Sequence, residues 1–258
     1  MDFAFQQTLF GRYQVNYYLC PECGLLRTEE PYWLDEVYKE MNADRDIGML
    51  NRNIDQCRFL ETFLPLAFPP TAKYLDIAGG YGVLTRLLRD KGFDCYTSDP
   101  YRPSLFATAF EKTDDFKTDA LFAFEVLEHL REPVKFLEEE FTKHGCRTLV
   151  FSTQTFSGKV PEQDWWYYSF ETGQHISLYQ PRSLAMLAKR LGCQYYMINP
   201  GLHVMSDVAF TSLTRLMLTN RYVRKLCTLS LPFFRPKKSL TWQDYRQMKE
   251  QNPPRPER

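Results

Sequence analysis

From Lys73 to about Pro200 short apolar runs alternate with amphipathic stretches, and this alternation restricts the possible folds more than any other feature of the chain. The apolar runs are YLDIA (74–78), FDCYTSD (93–99), ALFAF (120–124), RTLVFST (147–153) and CQYYMINP (193–200). Between them VLTRLLRDKG (83–92), SLFATAFEK (104–112), PVKFLEEEFTKHG (133–145) and PRSLAMLAKRLG (181–192) carry helical spacing. Gly92 and Gly192 stand where C-terminal caps belong, and Pro133 and Pro181 open their helices. Strands alternating with ten-to-fifteen-residue helices predict an α/β fold with a Rossmann-like, mostly parallel, doubly wound sheet.

The flanks read differently. RYQVNYYL (12–19) and GLLRT (24–28) are β-prone runs either side of Cys20-Pro-Glu-Cys23, which predicts a hairpin. Helices are expected over 32–41 and 50–64, and an apolar, mostly helical segment over 201–230. The expected organisation is an N-terminal appendage and linker at 1–45, a catalytic-type α/β domain at 46–200, and a C-terminal helical extension at 201–258. The final NPPRPER of that extension lacks the means to bury a core and is expected to be disordered.

Composition narrows the function classes. With 32 basic against 32 acidic residues, the chain lacks the broad positive surface that duplex nucleic acid requires, so no nucleic-acid partner is expected. No run is apolar for long enough to span a membrane, and the first residues lack the pattern of a secretory signal. Seven scattered cysteines fit reduced thiols, and a cytoplasmic location is expected. Only Cys20 and Cys23 have ligand-like spacing. They make half of a tetrahedral zinc site, so zinc is a weak expectation.

The richest local signal is Leu75-Asp76-Ile77-Ala78-Gly79-Gly80-Tyr81-Gly82, set between a strand and a helix. Glycines there permit a tight turn and let a ligand approach the main chain. Asp99 ends the next strand, where a carboxylate can take ribose hydroxyls. A dinucleotide fingerprint would place a third glycine where Thr85 stands, and Asp76 would repel a pyrophosphate. That carboxylate suits the cationic amino acid end of S-adenosylmethionine.

LDIAGGYG, SDP and FEVLEHLREPVKFLEE together resemble the successive motifs of class I S-adenosylmethionine-dependent methyltransferases, from about Tyr74 to Leu191. The likeness is greatest to a branch associated with sugar and polysaccharide biosynthesis, in which a small zinc ribbon can precede the catalytic domain. It implies that Asp76, Gly80 and Gly82 line the methionine part of the cofactor and that Asp99 binds its ribose. Ala78, Gly79, Tyr81, Pro100 and Phe124 complete the expected cofactor contacts. One departure stands out: the family's first glycine is Ala78 here.

Two further stretches carry candidate chemistry. Glu125 directly follows the ALFAF strand and is a candidate for contacting cofactor or acceptor, whereas Glu128 and His129 are expected to start or cap the next helix. The segment 163–179 forms a long loop, and such loops in compact domains are usually functional. Its Trp165, Trp166, Tyr167 and Tyr168, with Gln174, suit the faces and hydroxyls of a sugar, or alternatively plug the loop to the core. Gly173-Gln174-His175 with Tyr179 resembles the histidine segment of related sugar methyltransferases, which implies His175 as base, with Tyr179 as second candidate. The basic strips RYVRK (221–225) and RPKK (235–238) are a solvated surface or a site for a phosphate-bearing acceptor. Two alternatives stay open: a non-catalytic protein of the same fold that binds cofactor or glycan, and a nicotinamide-dependent oxidoreductase.

Overall fold

The computed structural model describes residues 1–40, 47–112, 116–234 and 237–251. The chain forms two compact units, Gly48–Phe122 with Phe210–Arg258, and Met1–Ile47 with Ala123–Ala209. The tail NPPRPER lies outside the described residues.

The first unit holds the parallel strands. β4 (Lys73–Ile77) pairs in parallel with β5 (Asp94–Ser98) on one side and β6 (Ala120–Phe124) on the other. Asp76 stands opposite Thr97 and Phe122 in that register. Parallel neighbours need a crossover, and α3 (Val83–Asp90) supplies it between β4 and β5. Helix α2 (Met49–Ala67) packs on α3 and buries Cys57, Leu60, Phe63 and Leu64. Beyond residue 210 come α6 (Ser212–Thr219), α7 (Arg221–Phe234) and α8 (Thr241–Gln251). A buried ion network secures α8: Asp244 accepts two 2.8 Å bonds from the Arg89 guanidinium, which also pairs with Asp94 at 2.9 Å. Such a network is costly unless fully paired, and here the guanidinium also lies 3.7 Å over the Phe110 ring.

The second unit begins with a hairpin larger than expected. β1 (Asp2–Leu9) precedes β2 (Tyr13–Leu19) and β3 (Leu26–Thr28), and the sheet order is β1-β2-β3-β8, with β8 only Ser177–Leu178. The predicted pairing across the cysteine knuckle is present, with Leu19 opposite Leu26. Through β8 the long 163–179 loop joins the N-terminal sheet, Arg27 facing Ser177 and Leu26 facing Leu178. One apolar core unites them: Leu9, Val15, Tyr17, Leu26, Trp33 and Val37 pack with Tyr167, Tyr168, Ile176 and Leu178. The Trp33 indole, on the approach to α1 (Leu34–Glu40), donates to the Gly173 carbonyl at 2.8 Å. This unit also contains α4 (Pro133–His144), α5 (Pro181–Arg190) and the strands β7 (Leu149–Ser152), β9 (Gln194–Asn199) and β10 (Leu202–Ser206) in the order β7-β10-β9.

The structure corrects the expected elements in two places. SLFATAFEK is not an α-helix; only Thr108–Phe110 forms a 3-10 turn. The Ser104 amide donates to the Glu111 carboxylate at 2.6 Å and the Ser104 hydroxyl accepts from the Ala107 amide, so side chains replace the helical ladder. The segment after Pro200 is not helical at its start either. The chain reverses there, and β10 runs antiparallel to both β9 and β7. The sheet is thus mixed, with its parallel strands grouped at β5-β4-β6. This is a Rossmann-like α/β fold.

Candidate functional site

In the first unit, the end of β4 enters the glycine turn. Ala78, Gly80 and Gly82 all have positive φ, at 60°, 54° and 78°. Ala78 therefore occupies a left-handed position where a glycine would be unstrained. Gly79 is required for space, since a side chain would strike the Thr97 hydroxyl and the Asp76 carboxylate. Gly80 differs, because nothing lies within 4 Å of where its Cβ would be. The turn is held by Asp99, whose carboxylate accepts from the Gly80 amide at 2.9 Å and from the Tyr101 and Arg102 amides at 2.8 and 2.9 Å. Pro100 is exposed on that loop, and the Tyr81 phenol accepts from Arg102 at 3.0 Å.

Asp76 is the electrostatic centre of this half. It is buried, and desolvation, with the Asp99 charge second, pushes its carboxyl up to about 8. No cation figures among the groups that perturb it. The neighbouring Thr97 hydroxyl is buried and makes no hydrogen bond among the described residues.

The second unit carries an acid–base cluster. After the half-buried Phe124, Glu125 adopts a left-handed φ of 55°, a strained conformation for a non-glycine residue. Its amide donates to the Ser152 hydroxyl at 2.8 Å, and that hydroxyl donates to the Glu125 carboxylate at 2.5 Å. Glu128 lies in the turn Leu127–His129, fully buried, and accepts from the Tyr167 phenol at 2.6 Å. Desolvation followed by the Glu125 charge raises this carboxyl to about 8, against the lowering effect of the Tyr167 and Thr153 hydroxyls. Glu128 thus sits in a short 3-10 turn of its own rather than at the start of α4, which begins later, at Pro133.

Two histidines complete the cluster. His129 Nδ1 lies 3.1 Å from the Gln174 carbonyl, and His175 Nδ1 lies 2.7 Å from the Tyr167 carbonyl. A carbonyl can only accept, so each Nδ1 carries hydrogen and Nε2 is the basic atom of each neutral ring. The rings meet edge-on at 4.9 Å. Burial first, then the neighbouring His175, lowers His129 to about 3, so it is neutral at pH 7. Donor atoms of Glu128, His129 and His175 lie within 4.8 Å of one another, close enough to share a proton or to reach one metal ion.

The aromatic run divides between core and surface. Tyr167 and Tyr168 are buried, Trp165 is half-buried and packs on the same core, and Trp166 is 70% exposed. Tyr168 donates to the Pro161 carbonyl at 2.9 Å and stacks on Phe170. Of the four rings expected to meet an acceptor or to plug the loop, Trp166 is the exposed one, and Trp165, Tyr167 and Tyr168 pack in the core shared with the N-terminal sheet. Gln174 is half-buried and serves the cluster through its carbonyl. Tyr179, the second base candidate, is buried and donates to the Leu127 carbonyl at 3.0 Å. Burial pushes its phenol above the usual range. Cys20 and Cys23 hydrogen-bond to each other, lowering the Cys20 thiol, while burial raises that of Cys23. Among the described residues they join no set of three potential metal ligands.

Sequence reasoning missed the Glu128–Tyr167 pair and Ser152. A signal was present in FEVLEHL, where an acid stands inside an apolar run several residues ahead of the proline that opens α4.

Residues 51–197 match the family described as Methyltransferase domain. The chain belongs to this family. No curated protein matches the chain. Solved structures similar to this methyltransferase domain include the mitomycin 7-O-methyltransferase, at 14% identity and a TM-score of 0.46, covering 67% of this chain and 59% of that one. Another is a methyltransferase of calicheamicin biosynthesis in its SAH-bound form, at 13% identity and TM-score 0.47, covering 67% and 60%. A third is the magnesium protoporphyrin IX methyltransferase of Synechocystis PCC 6803 with bound SAH, at 14% identity and TM-score 0.45, covering 67% and 92%. The chain spans about three fifths of the length of the first two.

Proposed function

We propose that this chain is an S-adenosylmethionine-dependent methyltransferase acting on a small acceptor, a sugar, nucleotide-linked sugar or glycan, with His175 as the base. The observation that carries this reading is Asp76, a buried acid among whose described perturbing neighbours no cation figures, at the mouth of a glycine turn whose Gly80 face is open. The residues fit the cofactor: Asp76 takes the ammonium of its methionine end, Gly80 admits it against the main chain, and Asp99 takes ribose hydroxyls. When bound, the cofactor supplies a methyl group already activated on a sulfonium.

The chain's own tasks are then orientation and proton removal. His175 presents Nε2 because the Tyr167 carbonyl holds its Nδ1 hydrogen. It would take the acceptor's proton, which leaves an electron pair on the acceptor free to receive a methyl group as the sulfonium's bond to that carbon breaks. Glu128, raised to about 8 and anchored by Tyr167, gives the histidine pair a neighbour able to exchange that proton near neutrality. Trp166, the exposed ring of the loop, offers a face to the acceptor. On this reading turnover survives exhaustive chelation; activity lost to a chelator and restored by a divalent ion would move the role of Glu128, His129 and His175 to metal ligation.

Calorimetry with S-adenosylhomocysteine and with NAD tests the cofactor assignment. Saturable binding of the first and none of the second is expected. The reverse order would replace this function with a nicotinamide enzyme, and absence of both would remove it.

A further inference from the structure

The charge balance of the chain conceals a strongly one-sided segment. Between Asp207 and Asp244 there is no acidic residue, whereas Arg215, Arg221, Arg224, Lys225, Arg235, Lys237 and Lys238 all fall there. Helices α6 and α7 occupy most of this segment, and their apolar residues are not all turned inward. Cys227, Met217 and Leu218 are buried, yet Leu213, Leu216, Tyr222, Leu226 and Leu229 are exposed.

On α7 the exposed residues are ordered. Tyr222, Leu226 and Leu229 recur at i, i+4 and i+7 and are 70%, 66% and 63% exposed. Arg221 and Lys225, both exposed, sit one residue before Tyr222 and Leu226, so all five side chains share roughly 140° of the outward face. The Arg221 guanidinium lies 4.7 Å over the Tyr222 ring and donates to its hydroxyl at 2.8 Å. Arg224 turns the other way and donates to the Met217 and Leu218 carbonyls, joining α7 to α6. α7 is therefore apolar on its packed side and again on its outward side, where Arg221 and Lys225 are the charged residues among the described side chains. Water is a poor partner for such a face.

We propose that the outward face of α6 and α7 docks on an anionic lipid bilayer. Charge complementarity selects this occupant: a leaflet of anionic headgroups matches an apolar strip whose charged neighbours on α7, among the described side chains, are Arg221 and Lys225. Length sets the mode. The 14 residues of α7 extend about 21 Å, short of a hydrocarbon core of about 30 Å, and no described helix is long and apolar enough to cross a membrane. The helix lies in the headgroup plane, with Tyr222, Leu226 and Leu229 dipping into the acyl boundary. This surface is formed by one unit alone and does not depend on the methyl-transfer reading.

Co-sedimentation of the full chain with vesicles tests it. Vesicles of phosphatidylcholine with about 30% phosphatidylglycerol should bind the chain, pure phosphatidylcholine at least tenfold less, and about 0.5 M salt should release it. The double substitution Leu226→Glu and Leu229→Glu should abolish binding while leaving the thermal unfolding midpoint unchanged, since both side chains already face water. Equal binding by this variant, or no binding of the wild-type chain to the anionic vesicles, would overturn the proposal. So would a stable wild-type dimer dispersed by the same substitutions without vesicle binding, since the face would then meet a second copy or another protein.

Discussion

Tyr167 serves both members of the acid–base cluster, its phenol donating to Glu128 at 2.6 Å and its carbonyl accepting from His175 at 2.7 Å. A single core residue thereby fixes an acid and a base. Tyr167→Phe keeps the ring and the carbonyl but strips the buried carboxyl of its donor. It should destabilise the fold by about 1–3 kcal/mol in urea unfolding and lower turnover without altering cofactor affinity. Wild-type stability would mean that Glu128 is not held by this bond.

His175→Ala should lower methyl transfer by about 10²- to 10⁴-fold while S-adenosylhomocysteine binding, followed by calorimetry, stays as in the wild type. Loss of turnover and binding together would make His175 an organiser of the loop. Turnover near the wild-type rate would remove it as base.

Ala78→Gly runs against the usual cost of a new glycine. The left-handed φ of 60° strains alanine, and glycine relieves it, partly offset by greater freedom in the unfolded chain. A gain of up to about 1 kcal/mol is expected in urea unfolding. A loss would show that the turn tolerates alanine without strain.

Asp76 and Glu128 give stability a pH dependence of known sign. Burial raises both carboxyls to about 8 in the folded chain, whereas unfolded carboxyls lose their protons near pH 4. Between these values the folded state holds more protons, so their contribution to stability is fully present below about pH 4 and is lost as pH rises toward 8. Glu128→Gln removes one such group. Its unfolding midpoint should decline less steeply than that of the wild type from pH 5 to 8, a difference of roughly 1 kcal/mol per pH unit at most. Parallel profiles would place Glu128 in a better-solvated site.

The alternation around β4, β5 and β6 and the glycine turn were legible because apolar periodicity and glycine placement are local properties of the chain. Nonlocal competition hid the rest. SLFATAFEK has helical spacing, but Glu111, seven residues on, captures the Ser104 amide. β8 is two residues long, and only its pairing with β3, some 150 positions earlier, makes it a strand. Composition could not decide between core and platform for Tyr167 and Tyr168; the apolar face of β1 and β2 decided it. Ala78 was legible as a departure, whereas its strain required the backbone angle. At the acid–base cluster His175 was visible by its motif, while Glu128 needed the fold to bury it.

In the proposed function Asp76 anchors the cofactor's ammonium. Calorimetric titration of S-adenosylhomocysteine into the wild-type chain and into Asp76→Asn, above about pH 8 where the acid is ionised, tests this most directly. The predicted result is saturable binding to the wild type and at least about tenfold weaker binding to the variant. Equal affinity in the two proteins, or no binding to the wild type, would contradict it.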